Sequence, residues 1–165
     1  MKIMITGIAG FIGMHTAIRM KELGHDVTGF DNCNSYYDPK LKEVRIQKLR
    51  ENGVDFKYAD LRDEVQMMRI IEEKRPDLVI HLAAMAGVRY SMNNADEYID
   101  TNCKGTLNLI RAMERWKTQN VIYASTSCVM HGNPLPWGEP EYLFQQINPY
   151  GYTKAITESQ FHISK

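Results

Sequence analysis

The stretch Lys2-Ile3-Met4-Ile5-Thr6-Gly7-Ile8-Ala9-Gly10-Phe11-Ile12-Gly13 joins a short apolar run to a helical pattern through three glycines. A strand, a tight turn and a helix start must therefore follow one another with almost no chain between them. The pattern predicts the first strand, phosphate loop and first helix of a dinucleotide-binding unit. Gly7 permits the turn off the strand, Gly10 lets the backbone approach a pyrophosphate, and Gly13 lets the helix pack close to the sheet. Free amides at the helix start then hold the anion. The spacing is Gly-x-x-Gly-x-x-Gly, and taken alone it fits a plain strand-to-helix turn equally well. Asp31 favours the cofactor. It lies 21 residues after Gly10, at the end of a second apolar run from Asp26 to Phe30, where a carboxylate bonds a ribose diol. The same carboxylate repels a 2'-phosphate, so NAD is expected in preference to NADP.

With 165 residues, 44% of them hydrophobic and 24% charged, the chain fills one core, and a single domain over residues 1–165 is expected. Twenty basic residues offset twenty acidic ones, so there is no electrostatic footprint for nucleic acid or an anionic membrane. No apolar run approaches the ~20 residues that span a bilayer, and the N-terminus enters a strand without a signal-peptide pattern. A cytoplasmic location is the expectation. Cys33, Cys103 and Cys128 are odd in number and widely separated, which argues for reduced thiols and against a disulfide framework or a zinc cluster.

Strand and helix patterns then alternate along the chain. A helix over Ile12 to Leu23 stops at Gly24-His25. A polar loop runs from Asn32 to Pro39, and a basic helix from Leu41 to Asn52 carries Lys42, Arg45, Lys48 and Arg50, read mostly as a solvated face. Val54 to Ala59 reads as a third strand ending at Asp60-Leu61, Arg62 to Lys74 as a helix, and Leu78 to Leu82 as a fourth strand. The small residues Ala83, Ala84 and Ala86 after that strand make room for a flat ligand or pack beneath a helix; the ligand is favoured because the first strand points to the same edge. A long helix from Ala95 to Trp116 precedes a fifth strand, Asn120 to Ala124. A turn-rich stretch with Pro134, Pro136, Gly138 and Pro140 leads to a last helix that starts near Pro149 and runs to the end at Lys165. The expected fold is α/β and Rossmann-like, a doubly wound parallel sheet of five strands in the order 3-2-1-4-5 with helices on both faces.

Tyr150 and Lys154 lie four apart on one face of the last helix. A phenol is a poor base at neutral pH, and an ammonium beside it lowers its pKa, helped by an oxidised nicotinamide. Tyr150 could then take a proton from a sugar hydroxyl while hydride leaves for NAD. Cys128, beside Thr126, is read as a structural thiol.

These features together resemble the N-terminal part of the extended short-chain dehydrogenase/reductase family, the NAD-dependent nucleotide-sugar epimerases and dehydratases, and most closely its UDP-glucuronate 4-epimerases. The residues carrying the resemblance are Thr6 to Gly13, Asp31-Asn32 with Tyr36-Tyr37-Asp38-Pro39 and Leu41-Lys42, His81 to Ser91, Asn102, Ala124 to Ser127, and Tyr150 to Lys154. The resemblance implies that Tyr150 is the proton-transfer base, that Lys154 holds the nicotinamide ribose and tunes Tyr150, and that Thr126 bonds the reacting hydroxyl. It places Phe11 and Ile12 as pyrophosphate amides and Asp31 and Asn32 on the adenosine ribose. Asp60 and Leu61 then border the adenine, and Leu82, Ala83, Ala84, Met85 and Ala86 line the cofactor, with Ser125 beside it and Asn102 supporting the site. No metal is implied.

The dehydratase branch has Asp-Glu after the catalytic Thr. Ser127-Cys128 stand here instead, which leaves 4-epimerisation of a UDP-sugar through a transient 4-keto sugar. Val129-Met130-His131-Gly132 replaces the family's Val-Tyr-Gly, and the family's second half, with its substrate domain and most sugar contacts, has no counterpart in these residues. The expected activity is correspondingly impaired, and a non-catalytic NAD-binding module or an interaction fragment is the alternative. The resemblance also implies a homodimer through the helices 95–116 and 149–165, with Leu109, Met113, Ile156 and Ile163 as partly uncovered apolar residues.

Overall fold

The computed structural model describes residues 1–138 and 145–164. Pro140, expected in the turn-rich stretch, and Lys165, the expected helix end, lie outside the described residues. Five parallel strands, β1 (Lys2–Thr6), β2 (Asp26–Asp31), β3 (Asp55–Tyr58), β4 (Leu78–His81) and β5 (Asn120–Tyr123), form one sheet in the order β3-β2-β1-β4-β5. This is the expected order. In register, Ile3 of β1 faces Val27 of β2 on one side and Leu78 of β4 on the other.

Alternation along β1 separates two cores, because successive side chains of a strand point to opposite faces. Ile3 and Ile5 pack with Ile8, Met14, Ala17, Val27, Leu49 and Ile80, under the helices α1 (Phe11–Glu22) and α2 (Pro39–Glu51). Met4 packs on the opposite face with Phe30, Val79, Met67, Ile71, Leu109 and Met113, under α3 (Glu64–Lys74). A helical run on that side passes from two short turns, α4 (Val88–Ser91) and α5 (Ala95–Tyr98), through a π-helical segment, Ile99–Gly105, into α6 (Thr106–Arg115). The chain closes with a 3-10 turn, Ser127–Met130, and the helix α7 (Pro149–Ile163).

Helix ends differ from the sequence expectations where a side chain caps the first turn. Asp38 accepts from the Lys40 amide at 3.0 Å, so α2 begins at Pro39 and not at Leu41. Asp63 likewise caps α3 through the Gln66 amide, moving its start from Arg62 to Glu64. At α7, Asn148 accepts from the Gly151 amide at 2.7 Å with Pro149 in the first turn, as the Asn-Pro pair implies. The α4 turn was not expected.

Leu109 and Met113 were expected to be partly uncovered. They are buried instead, because α6 lays them against α3 and the sheet. Of the four apolar residues named for a dimer face, Ile163 is the one left fully exposed, and Ile156 is half-buried.

Candidate functional site

The carboxyl ends of β1, β2 and β4 open onto a cleft of about 180 Å3. Gly7 and Gly10 form its floor, Asp31, Asn32, Asp60 and Leu61 one end, and Leu82, Ala83, Ala84, Met85 and Ala86 the other. Eleven of the residues named from sequence thus share one concave surface where the sheet order reverses direction, the place where open α/β sheets bind ligands.

Gly7 adopts φ +68°, and a Cβ on it would lie 2.8 Å from the Ala83 amide nitrogen; a Cβ on Gly13 would lie 2.3 Å from the Gly7 carbonyl oxygen. The turn, the β4 connection and α1 are therefore as close as glycine alone allows. Gly10, at the start of α1, makes no side-chain capping bond, and the first turn of that helix holds no acidic residue. Its amides are open to an anion such as a pyrophosphate. Phe11 and Ile12, which carry two of those amides, turn their side chains to solvent.

The Asp31 carboxylate accepts from the Cys33 amide and from Lys42 Nζ, each at 2.8 Å. Lys42 is buried, contrary to its reading as part of a solvated basic face, because the β2 terminus brings a carboxylate beneath α2. Arg45, one turn further along, bonds the Tyr37 hydroxyl at 2.8 Å and the Ala9 carbonyl at 3.4 Å. Burial pushes the Asp60 carboxyl up, but hydrogen bonds from Arg62 and Asn32 outweigh it and hold the group at about 2. Burial and the Asp31 charge push the Cys33 thiol up to about 11, so it stays protonated.

Beneath the other end of the cleft, the Thr6 hydroxyl accepts from the Leu82 and Ala83 amides at 3.2 and 3.0 Å. Both lone pairs are then used, and its proton goes to His81 Nδ1 at 2.7 Å, which leaves His81 Nε2 to donate to the Thr106 hydroxyl at 3.0 Å. Burial, with Lys154 adding to it, lowers the His81 pKa to about 3, so this relay runs through a neutral imidazole.

Asn102, named in the sequence only through the resemblance, is 1% exposed. Its Oδ1 accepts from the Met85 amide at 2.8 Å, and its Nδ2 donates to the Met85 carbonyl and to the Thr153 hydroxyl, both at 3.0 Å. Thr153 in turn donates to the Tyr150 carbonyl at 2.9 Å. One amide in the π-helical segment thereby ties the cleft wall to the first turn of α7.

Tyr150, Thr126 and Lys154 lie beyond the lining of this cleft, on the Tyr98 side. The Tyr150 ring stands 6.2 Å from that of Tyr98, whose hydroxyl reaches the Ala86 carbonyl at 2.6 Å. Burial raises the Tyr150 pKa, hydrogen bonding from Thr126 opposes the rise, and Cys128 adds to it. The expected lowering by Lys154 is not what this site does. Lys154 is 4% exposed, with its Nζ 5.2 Å from the centre of the Tyr123 ring, and burial takes its own pKa down to about 8. Ser125, expected beside the cofactor, is exposed and bonded to Glu158, outside the cleft.

Lys42, Asn34, Tyr36 and Tyr37 line the cleft without having been named as site residues, and Met85 lines it within the run expected to do so. The Asn32 to Asp38 run carried the signal for three of them. Thr6, Thr153 and Tyr98 offered none, since a hydroxyl in a strand or helix pattern does not say what lies opposite it.

A glycine turn at the switch point, a buried carboxylate at the end of β2 and a Thr/Tyr/Lys set beside the β4 connection define a dinucleotide-dependent protein of the short-chain dehydrogenase type. The chain belongs to the NAD dependent epimerase/dehydratase family, whose model matches residues 3–164. It is 39% identical over 164 residues to a probable UDP-glucuronate 4-epimerase of Rhizobium meliloti, covering 98% of this chain and 48% of that one. The UDP-glucuronic acid 4-epimerase of Bacillus cereus, solved as a tyrosine-to-phenylalanine variant with UDP-4-deoxy-4-fluoro-glucuronic acid and NAD, superposes with a TM-score of 0.90 at 30% identity, over 99% of this chain and 52% of that one. The UDP-Glc/GlcNAc 4-epimerase of Campylobacter jejuni gives 0.89 at 27%, over 99% and 48%. The chain spans about half the length of the relatives it matches. NAD is the cofactor of the family and is present in several of its solved members. Among the described residues no helix is long and apolar enough to cross a membrane, and no group of His, Cys, Asp or Glu could hold a metal ion.

Proposed function

We propose that residues 1–165 carry the cofactor site and the acid/base groups of a UDP-glucuronate 4-epimerase. The observation that supports this most is the Asn102 bridge, which ties the β4 connection at Met85, through Thr153, to the turn bearing Tyr150. A cofactor wall and an acid/base group joined this way keep a fixed separation.

When bound, NAD supplies the hydride acceptor and donor for the sugar carbon. Asp31 and Asn32 hold the adenosine ribose, Asp60 and Leu61 border the adenine, and the open amides at Phe11 and Ile12 take the pyrophosphate. Leu82 to Ala86 would line the cofactor. Tyr150 removes the proton of the reacting hydroxyl and returns it after the 4-keto sugar has presented its other face, while Thr126 bonds that hydroxyl. Lys154 holds the nicotinamide ribose. Ser127-Cys128, standing where a dehydratase has Asp-Glu, favours epimerisation over elimination.

Remote contacts to a nucleotide sugar position its reacting carbon, and residues 1–165 hold few candidates for them. These residues by themselves are therefore expected to bind NAD and to turn over UDP-glucuronate slowly or not at all. A non-catalytic NAD-binding module is the second reading, favoured by the upward shift of Tyr150 and by the seat of Lys154 on the Tyr123 ring. Chromatography of nucleotide released from the denatured protein, followed by incubation with UDP-glucuronate, separates the readings. Released NAD with any UDP-galacturonate formed supports the epimerase. Released NAD with no product even from a full-length relative carrying these residues in place of its own first half would leave the binding module.

A further inference from the structure

The connection between β2 and α2 crosses the cofactor cleft. Sheet order places β1 between β2 and β4, so a side chain from residues 32–38 that touches the β4 connection links the two sides of β1. Two side chains do so. Asn34 Nδ2 reaches Met85 Sδ at 3.4 Å. The Tyr36 ring meets the Tyr90 ring edge-on, 5.2 Å between centroids, and its hydroxyl lies 2.5 Å from where a Cβ on Gly87 would stand.

The far side of the crossing is rigid. Tyr98 is fully buried, and its hydroxyl proton is shared between the Ala86 and Gly87 carbonyls at 2.6 and 2.8 Å. The near side is held locally, by the Cys33 amide on Asp31 and the Asn34 amide on Asn32 at 2.8 and 3.1 Å. Asn34 and Tyr36 also line the cleft. The span is thus anchored at both ends and joined across the middle by side chains.

We infer that residues 32–38 are a latch over the cofactor, with Tyr36 seated on Gly87 as the catch, so that a dinucleotide lying from Asp31 across Gly10 to Ala86 enters and leaves only when the Tyr36 contacts break. This rests on the cofactor reading given above. Entry and exit share one barrier, so the latch sets how long the cofactor stays more than how tightly it binds. A long stay suits a reaction in which hydride is taken from and returned to the same sugar, since the cofactor need not exchange between turnovers.

The test is the exchange rate of NADH bound to the purified protein and chased with excess NAD, followed by the loss of bound-NADH fluorescence. Tyr36→Phe keeps the ring and removes the hydroxyl, and should speed exit about fivefold, the size of one neutral hydrogen bond. Tyr36→Ala also removes the ring contact and should speed it a few tens of times. Association should quicken in step, leaving the dissociation constant within about threefold of the parent by the two-rate arithmetic. Asn34→Ala, with a smaller gain in both rates, gives a second reading if Tyr36→Ala does not fold. Exit and entry at the parental rates in Tyr36→Phe and Asn34→Ala would overturn the latch while leaving cofactor binding intact. Faster exit with an unchanged entry rate would also overturn it, by making Tyr36 an ordinary contact. A parent chain that binds neither NAD nor NADH would overturn the cofactor reading and the latch together.

Discussion

Lys42 Nζ lies 2.8 Å from Asp31 Oδ1, with the two side chains 8% and 6% exposed. The pair joins the end of β2 to α2 at one end of the cleft. Removing one partner of a buried ion pair leaves the other charge without compensation, which typically costs about 3–5 kcal/mol. Asp31→Ala should therefore lower the stability of the fold by about 3 kcal/mol in urea denaturation, and Asp31→Ala combined with Lys42→Met should recover part of that loss. The single variant should also bind NAD more weakly and discriminate less against NADP by calorimetry, because the carboxylate beside the 2'-position is gone. Equal affinity of the parent for the two cofactors would sink the role given to Asp31.

Tyr150→Phe keeps the ring that packs on Tyr98 and removes the hydroxyl. Cofactor affinity should stay within a few-fold of the parent, while any reduction of NAD by a nucleotide sugar disappears. Burial holds the Tyr150 phenol above its ordinary value, so the base form at neutral pH depends on charge brought by the cofactor. Addition of NAD should accordingly move the phenolate absorbance titration of the parent to lower pH, and leave that of Tyr150→Phe where it was. A variant that forms NADH at the parental rate would remove Tyr150 as the base.

Asn102 satisfies the Met85 amide, the Met85 carbonyl and the Thr153 hydroxyl from inside the π-helical segment. Asn102→Leu has similar volume but strands those groups away from water, and each buried unsatisfied polar group costs about 1–3 kcal/mol. A loss of at least about 2 kcal/mol is expected. Amide exchange should quicken at Met85 and in the first turn of α7 together, since the same side chain holds both. Faster exchange confined to one of the two segments would contradict the bridge.

His81 predicts the acid limb of stability. Its folded pKa of about 3 lies below the ordinary value of 6.5, so between those two pH values the unfolded chain binds a proton that the folded chain refuses. Stability from the neutral imidazole is complete above the unfolded value and falls as pH drops toward the folded one, at about 1.4 kcal/mol per pH unit for one proton. Carboxylates such as Asp60, held at about 2, add their own loss only below about pH 4. Urea midpoints between pH 6 and pH 4.5 should therefore decline in the parent and stay nearly level in His81→Gln, provided both are measured at one ionic strength. Parallel slopes for the two proteins would show that His81 does not titrate in this way.

The strands, helices and glycine turn of this chain follow from residues close together in sequence. Gly7 and Gly13 mark a turn and a close approach, the alternation of Ile3, Met4 and Ile5 builds a two-faced strand, and Asn148-Pro149 starts a helix, since each depends on interactions within a few positions. Asp31 after the second strand could likewise be placed at the edge where the cleft opens from spacing alone. Tertiary structure decided what those residues meet. The helical pattern put Lys42 on a basic face but could not reveal a carboxylate beneath it, and Asn102 looked like any helix Asn until the β4 connection and α7 closed around it. Tyr150 and Lys154 were correctly spaced on one helix, yet burial outweighs charge at Tyr150 and the ammonium turns to Tyr123, because desolvation depends on every element packed against a group and not on its distance along the chain.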